Sequence, residues 1–178
     1  MNKDVSKVLV TAEQITTRCK ELGAQIEKDY EGKKVVFVGL LKGSMPFMSE
    51  LVKYIDIEGM ELDYMKVSSY SGTKTSHNLK ISLDLNRDIE GLDIVIVEDI
   101  VDTGFTLQSV TKLMKDKGAN SVEICTLLNK EERREVDIHA KYVGFEVPDE
   151  FVIGFGLDFD EKYRQLPYVG VLKEECYK

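Results

Sequence analysis

Three runs of mostly apolar residues, many of them β-branched, restrict the possible folds of this chain more than any other feature. They cover residues 35–41, 92–97 and 122–128. Runs of this kind are typical of strands that are buried on both faces of a parallel sheet. They are far shorter than the roughly 20 residues that a membrane helix needs. We therefore expect an α/β protein with a central parallel sheet and no membrane association.

Helical patterns alternate with these runs. Thr11 and Gln14 form a capping-box pattern, and the apolar residues that follow recur every three or four positions, which predicts a helix over 12–30. Ser44 is placed to cap a second helix, with Phe47, Leu51 and Ile55 facing inward, and a third helix stops at Gly118. Alternating strands and helices favour right-handed parallel connections, with ligands bound at the carboxyl ends of the strands.

The remaining segments complete this outline. Residues 60–69 and 80–85 predict the two strands of a hairpin, and the polar stretch between them, 70–78, predicts a mobile loop. Shorter strands are expected further along the chain, at 142–145, 151–155 and 168–172. No repeat or linker interrupts the sequence, so we expect a single domain over 1–178.

Charge and cysteine content narrow the classes of partner. The net charge of −8 argues against nonspecific nucleic-acid binding, so an anionic ligand must be held by local groups. The three cysteines, Cys19, Cys125 and Cys176, fit neither a disulfide framework nor a zinc pattern. The N-terminal apolar stretch is too short for a signal peptide. We therefore expect a cytoplasmic protein.

The segment from Glu98 to Thr106, with the sequence Glu-Asp-Ile-Val-Asp-Thr-Gly-Phe-Thr, carries the strongest chemical signal. It lies between an apolar strand and a helix, where hydroxyls, a glycine and free N–H groups suit a phosphate. Its three carboxylates would repel that phosphate unless they bind sugar hydroxyls or a hydrated magnesium ion. A ribose phosphate meets both conditions. The alternative is that acids and small residues merely form a strand-to-helix turn.

This segment resembles the fingerprint of the phosphoribosyltransferases, in which an apolar strand is followed by two acids, two apolar residues and Asp-Thr-Gly-x-Thr. The pattern is complete over 95–107. Further matches place the resemblance in the hypoxanthine-guanine branch and extend it over nearly the whole chain. They are Leu41-Lys42-Gly43-Ser44, Ser69-Tyr70, Lys130, Phe151-Val152, Gly156-Leu157-Asp158 and Tyr163-Arg164.

The resemblance implies a type I phosphoribosyltransferase fold, in which a parallel sheet flanked by helices carries a small hood made by the N-terminal segment and about 144–178. It implies magnesium-dependent transfer of a 5-phosphoribosyl group from phosphoribosyl pyrophosphate to N9 of hypoxanthine or guanine. The products would be IMP or GMP and pyrophosphate. It also implies a homodimer or homotetramer.

The resemblance also implies roles for individual residues. Glu98 and Asp99 would meet the ribose hydroxyls directly or through magnesium, and Asp102 would act as general base toward the N7 side of the purine. The 5′-phosphate would be wrapped by Thr103, Gly104, Phe105 and Thr106. Pyrophosphate would be held by Leu41, Lys42 and Gly43, with a cis Leu41–Lys42 peptide, and by Arg164.

On the base side, the resemblance implies that Lys130 reads the 6-oxo group, because its ammonium can only donate hydrogen bonds. Phe151 would stack on the purine, the carbonyl of Val152 would meet the base edge, and Asp158 would help to hold a second magnesium ion. A lid carrying Ser69 and Tyr70 would exclude water.

Taken singly, these residues have ordinary explanations. Lys42-Gly43-Ser44 could be a plain turn, Arg164 and Lys130 solvated surface residues, and Phe151 and Val152 strand core. Departures from the family pattern are few, namely Glu131 where many bacterial relatives carry Pro and Glu150 where Lys is common. Two rival functions stay open. One is a phosphoribosyltransferase for xanthine or a pyrimidine, and the other a noncatalytic regulator that senses phosphoribosyl pyrophosphate and binds nucleic acid.

Overall fold

The structure is a computed structural model that describes the backbone of residues 2–72 and 76–178 and the side chains of 2–68 and 79–178. Its helices and strands in chain order are β1 (Val5–Val10), α1 (Ala12–Asp29), β2 (Val35–Leu40), α2 (Met45–Leu51), β3 (Glu61–Gly72), β4 (Ser76–Leu83), β5 (Asp93–Val101), α3 (Phe105–Asp116), β6 (Ser121–Asn129), β7 (Tyr142–Glu146), β8 (Val152–Ile153) and β9 (Val169–Leu172).

A six-stranded sheet with the order β4-β3-β2-β5-β6-β7 forms the centre of the molecule. Its strands are parallel except β4, which runs antiparallel to β3. All six residues of β2 are buried because alternate side chains point into separate cores, Val35 and Phe37 toward α1 and α2, and Val36 and Val38 toward α3. The predicted sheet, buried on both faces, is confirmed.

The helices agree with their sequence signals in most respects. At the start of α1, Gln14 N donates to Thr11 Oγ1 (3.2 Å) and Thr11 N donates to Gln14 Oε1 (2.8 Å), so the predicted capping box is confirmed. Ser44 does not cap α2. Its own backbone is already helical, and its buried Oγ has no hydrogen-bond partner within the described residues. The helix ends at Leu51, and Ile55 is buried beyond it, after a 3-10 turn over Val52–Tyr54.

Two expected loops are partly strand. β5 does not stop at Val97 but continues to Val101, because it keeps pairing with the equally long β6. Glu98 and Asp99 therefore lie on a strand rather than in a loop. The predicted loop 70–78 is wrong for 70–72 and 76–78, which extend β3 and β4 through main-chain pairing that needs no apolar side chains. Residues 73–75 lie outside the described part of the chain.

A second, antiparallel sheet with the order β1-β9-β8 forms the hood above the carboxyl ends of the central strands. Val5, Ile153 and Leu172 form its small core. No sequence pattern predicted β1, and β8 is only two residues long because the backbone turns sharply after it. Gly154 and Gly156 have φ values of +96° and +103°, which glycine adopts without steric cost.

Cys19 and Cys125 are buried and all three cysteines are free. Burial raises the pKa of the Cys19 thiol to about 12, so this thiol stays protonated at neutral pH and is a poor nucleophile. Among the described residues, no helix combines the length and the apolar character that a membrane crossing would require.

Candidate active site

A cavity of about 310 Å³ opens at the carboxyl ends of β2 and β5. It brings together most of the residues for which the sequence predicted a phosphate or ribose role. Those that line it are Leu41, Gly43, Glu98, Asp99, Asp102, Thr103, Gly104 and Thr106. This position is where ligands bind in open α/β sheets. A larger cavity, about 990 Å³, lies at the opposite, amino ends of the strands and contains none of these residues.

The start of α3 forms one wall of the cavity. Gly104 is its N-cap residue, and the first main-chain bond within the helix runs from Gln108 N to Gly104 O (2.9 Å). In an α-helix the N–H groups of the first turn are not used by the carbonyls of the helix itself, and Thr106 and Leu107 carry such groups here. Together with the positive end of the helix dipole, they make this turn suitable for an anion such as phosphate.

Gly104 is required at this turn for two reasons. Its φ of +92° is unfavourable for other residues, and a Cβ there would lie 2.5 Å from Ile138 Cγ2 and 2.9 Å from Arg134 Cδ. The segment after β6 packs against the turn and also holds it by a hydrogen bond from Glu135 N to Thr103 O (3.0 Å). The turn is therefore fixed before any ligand arrives.

Arg134 is the side chain that fixes the turn most directly. Its guanidinium is only 7% exposed and donates from Nε to Asp102 O (3.1 Å), from Nη2 to Asn129 Oδ1 (2.6 Å) and from Nη1 to Ile138 O. Sequence patterns did not predict this role, because Arg134 stands in a charged run that is typical of a solvated loop. Only the folded chain brings it under the turn.

Glu98 and Asp99 form the acidic side of the cavity. Asp99 N donates to Glu98 Oε1 (3.1 Å), and Ile100 N donates to Asp99 Oδ1 (2.7 Å). Burial raises the pKa of Glu98 well above its ordinary value, and the neighbouring Asp99 adds to the shift. Burial also raises the pKa of Asp99, although the charge of Arg164 acts in the opposite direction. A partly buried acid pair of this kind is stabilised by hydroxyl donors or by a cation.

The turn after β2 packs directly against this acidic pair. The Leu41–Lys42 peptide is cis, as the resemblance implied. A Cβ on Gly43 would lie 1.7 Å from Asp99 Oδ2, and a Cβ on Gly156 would lie 1.9 Å from Gly43 O. The segments around Gly43, Asp99 and Gly156 are far apart in the sequence, and they pack closely here because neither glycine carries a side chain. The sequence matches placed Gly43 in this site and did not predict the close approach of Gly156.

The hood brings a group of paired charges next to the turn after β2. Arg164 Nη1 donates to Gly156 O (2.7 Å), and its Nη2 pairs with Asp158 Oδ1 (2.9 Å). Lys42 Nζ pairs with Glu161 Oε2 (2.6 Å). Arg164 Nε is buried and has no hydrogen-bond partner in the described part of the chain. Two predicted anion-binding cations, Lys42 and Arg164, therefore lie close together and share the partner Glu161.

A second group of charges lies beside Asp102. Lys130 is not the solvated lysine of the ordinary interpretation, since its side chain is only 10% exposed and its Nζ donates to Glu150 O (2.8 Å). Arg133 Nε pairs with Asp102 Oδ1 (3.1 Å), and Arg133 Nη1 lies 3.5 Å from Asp149 Oδ2.

Comparison with known proteins identifies the arrangement. The family described as "Phosphoribosyl transferase domain" matches residues 8–160. The hypoxanthine-guanine phosphoribosyltransferase of Staphylococcus aureus is 53% identical over 178 residues, which cover 99% of both chains. That of Streptococcus thermophilus is also 53% identical, over 99% of this chain and 98% of the relative. The chain belongs to the hypoxanthine-guanine phosphoribosyltransferase family.

The fold agrees with this assignment. A crystal structure of a hypoxanthine phosphoribosyltransferase from Staphylococcus aureus superposes with a TM-score of 0.94 at 53% identity, and covers 98% of this chain and 95% of that one. The type I phosphoribosyltransferase fold predicted from the sequence is confirmed. The central sheet is mixed rather than wholly parallel, because β4 returns as the second strand of a hairpin.

Three other predicted site residues of this phosphoribosyltransferase, Phe105, Phe151 and Val152, do not line the 310 Å³ cavity. Phe151 immediately precedes β8 and Val152 begins it, and the Phe151 side chain is 38% exposed while Val152 is buried. Phe105 is the first residue of α3. Ser69 and Tyr70 lie on β3, but their side chains are outside the described part, so the lid stays a prediction.

The carboxylates of this phosphoribosyltransferase fit magnesium when substrate and water supply its remaining ligands. Among the side chains of residues 2–68 and 79–178 there is no cluster of three or more His, Cys, Asp or Glu that would hold a metal ion unaided. Magnesium is commonly bound by one or two carboxylates together with substrate oxygens and water. The partly buried pair Glu98 and Asp99 matches that requirement.

Proposed function

We propose that this chain transfers the 5-phosphoribosyl group of phosphoribosyl pyrophosphate to N9 of hypoxanthine or guanine, which gives IMP or GMP and pyrophosphate. The observation that carries the proposal is the 310 Å³ cavity, because it is lined by both a helix N-terminus and a partly buried acidic pair. A ribose 5-phosphate has complementary groups, a dianion at one end and a diol at the other. The 53% identity to curated relatives of this name supports it.

In this proposal, the first turn of α3 binds the 5′-phosphate with its main-chain N–H groups and the hydroxyls of Thr103 and Thr106. Glu98 and Asp99 accept hydrogen bonds from the ribose hydroxyls or bind them through magnesium. Magnesium, when bound, neutralises charge on the pyrophosphate leaving group. Asp158 would serve a second magnesium ion once Arg164 turns from it to the substrate.

Pyrophosphate binding is assigned to the turn of Leu41, Lys42 and Gly43 and to Arg164. Both cations already have carboxylate partners, Glu161 for Lys42 and Asp158 for Arg164. The side chains of the Lys42–Glu161 pair are 50% and 63% exposed, so solvent weakens their attraction and a pyrophosphate can replace it. The Arg164 guanidinium offers a planar fork that matches phosphate oxygens.

The purine is assigned to the space between Asp102, Lys130 and Phe151. As N9 attacks the anomeric carbon and the bond to pyrophosphate breaks, the proton on the N7 side passes to the Asp102 carboxylate. The ion pair between Asp102 and Arg133 is nearly half exposed and therefore weakened by solvent, so a bound purine can displace it. Lys130 donates to the 6-oxo group and the Val152 carbonyl accepts from the base edge.

A direct assay tests this function. Purified chain is incubated with magnesium, phosphoribosyl pyrophosphate and each of hypoxanthine, guanine, xanthine and adenine, and nucleotide formation is followed by absorbance. We expect turnover with hypoxanthine and guanine and little with adenine. Turnover with none of the four bases would remove the proposal, and turnover with xanthine alone would assign a different base. Omission of magnesium is expected to abolish the activity.

Lys130→Met tests the assignment of the base site. Methionine keeps a similar length but cannot donate a hydrogen bond, so the KM for hypoxanthine is expected to rise by about tenfold or more, as for loss of a charged hydrogen bond. The KM for phosphoribosyl pyrophosphate should stay within about threefold. The matched control is Lys112→Met, at an exposed position on α3. Equal increases in both KM values would contradict the role of Lys130.

Arg134→Lys tests whether the phosphate turn must be held from below. A lysine ammonium cannot reach the three acceptors that the guanidinium serves. We expect the KM for phosphoribosyl pyrophosphate to rise about three- to tenfold with kcat within about twofold, and the free energy of unfolding to fall by about 1–3 kcal/mol. Initial rates and chemical denaturation measure the two effects.

Arg18→Lys is the control for this experiment, because Arg18 also holds main-chain carbonyls, those of Val143 and Gly144, but does not line the cavity. It should lower stability without changing the KM. If Arg134→Lys behaves in the same way, Arg134 contributes to the fold alone.

We further propose that the protein is a cytoplasmic homodimer or homotetramer. Both proposals rest on the family and on the free, mostly buried cysteines rather than on a contact within the chain. Light scattering coupled to gel filtration measures the oligomeric state, and a monomeric mass would contradict the proposal.

A further inference from the structure

Phe151 is stacked on a second aromatic ring near the end of the chain. The rings of Phe151 and Tyr177 have their centroids 4.9 Å apart and their planes inclined by 23°. Phe159 contacts the Phe151 ring edge-on, with a centroid distance of 5.5 Å and an angle of 88°. Offset stacking and edge contacts are the favourable arrangements of aromatic pairs.

Tyr177 has a fixed position. It follows the 3-10 turn Glu174–Cys176, and its N donates to Glu174 O (3.1 Å). Its side chain packs against the hood core, which includes Ile153 and Leu172. Tyr177 is therefore packed as part of the hood, and its ring has a defined position beside Phe151.

Phe151 is still 38% exposed although Tyr177 is stacked on its ring and Phe159 contacts it in a T-shaped arrangement. Part of the Phe151 ring is therefore left uncovered by these two neighbours. Lys130 Nζ, the proposed donor to the purine, is bound to the carbonyl of Glu150, the residue directly before Phe151.

We propose that Tyr177 is a positioning residue for the purine, which holds the Phe151 ring so that its exposed part receives the base. The inference rests on the proposed function, since it assumes that Phe151 stacks on the substrate. Without Tyr177, the Phe151 side chain can leave this rotamer, and part of the binding free energy must then be spent on ordering it again. Tyr177 thus acts on purine affinity and not on the chemical step.

The test is the kinetics of Tyr177→Ala. We expect the KM for hypoxanthine to rise about three- to tenfold, the size that corresponds to loss of one stacked aromatic pair. The kcat and the KM for phosphoribosyl pyrophosphate should stay within about twofold. Tyr177→Phe keeps the ring and is expected to restore wild-type values. Glu175→Ala, on the same turn and with a 77% exposed side chain, is the matched control and should change nothing.

Two further variants separate positioning from general damage to the hood. Tyr177→Leu keeps apolar packing against the hood core but cannot stack, so it should reproduce the effect of alanine even if the alanine variant folds poorly. In a Phe151→Leu background, Tyr177→Ala is expected to add no further increase in the KM for hypoxanthine, because its effect passes through Phe151.

The outcomes distinguish this inference from the function on which it rests. A wild-type chain that forms no nucleotide contradicts the proposed function. An active wild type with an unchanged KM for hypoxanthine in both Tyr177→Ala and Tyr177→Leu overturns the positioning role. So does an equal rise in both KM values, or a full effect of Tyr177→Ala in the Phe151→Leu background.

Discussion

Asp102→Asn is expected to lower kcat by about 10²–10⁴-fold while the KM for phosphoribosyl pyrophosphate stays within about threefold, because general-base catalysis contributes this much to a rate. Asparagine has the shape of aspartate but cannot take up the proton that leaves the purine. The Asp102 carbonyl, which Arg134 holds, is retained in the variant, so the phosphate turn should keep its conformation. Steady-state kinetics with each substrate varied in turn measures both parameters.

Asp137→Asn is the control for this change. Asp137 lies in the segment that packs against the turn, but its side chain is 97% exposed. It is expected to leave kcat and both KM values unchanged. Turnover of Asp102→Asn at the wild-type rate would refute the assignment of the base, and a large rise in the KM for phosphoribosyl pyrophosphate would mean that Asp102 acts in binding.

Gly104→Ala is expected to have the second largest effect, since it alters the turn itself. The left-handed backbone at φ +92° costs about 1–2 kcal/mol for a residue with a Cβ, and the collision with Ile138 and Arg134 adds about 1–3 kcal/mol. The free energy of unfolding should fall by about 2–5 kcal/mol. Because the turn must shift to relieve the collision, the KM for phosphoribosyl pyrophosphate should rise by at least about tenfold.

Gly59→Ala separates backbone strain from the collision. Gly59 has a similar φ of +77°, but a Cβ there would meet nothing within 4 Å. It is expected to lower stability by about 1 kcal/mol and to leave the kinetics unchanged. If Gly104→Ala changes stability and KM no more than Gly59→Ala does, the shape of the turn is not what binds the phosphate. Chemical denaturation and initial rates supply both comparisons.

The parts of the fold that local patterns determine were predictable. The capping box at Thr11 marks the start of α1, and the apolar run of β2 specifies a strand between two cores. The end of β5 was not predictable in the same way, because Glu98 interrupts the apolar pattern while main-chain pairing with β6 continues to Val101. Burial of that acidic pair depends on the turn at Gly43, far away in the sequence.

The candidate site shows the same division. Its phosphate turn is contained in one contiguous motif, so residues 102–106 could be located from the sequence, and the resemblance supplied their roles. Arg134, Gly156 and Tyr177 belong to no such motif. Each lies near the site only because the chain returns to it after a long separation, through the segment after β6 or through the hood. Contacts of this kind depend on tertiary packing and leave no local pattern.

The most direct test of the central claim is a crystal structure of the chain with inosine 5′-monophosphate. The proposed function predicts that the phosphate lies about 3 Å from the main-chain N atoms of the turn 103–106, and that the ribose hydroxyls face Glu98 and Asp99. A nucleotide bound elsewhere, for example in the larger cavity at the amino ends of the strands, with the turn empty, would contradict the account.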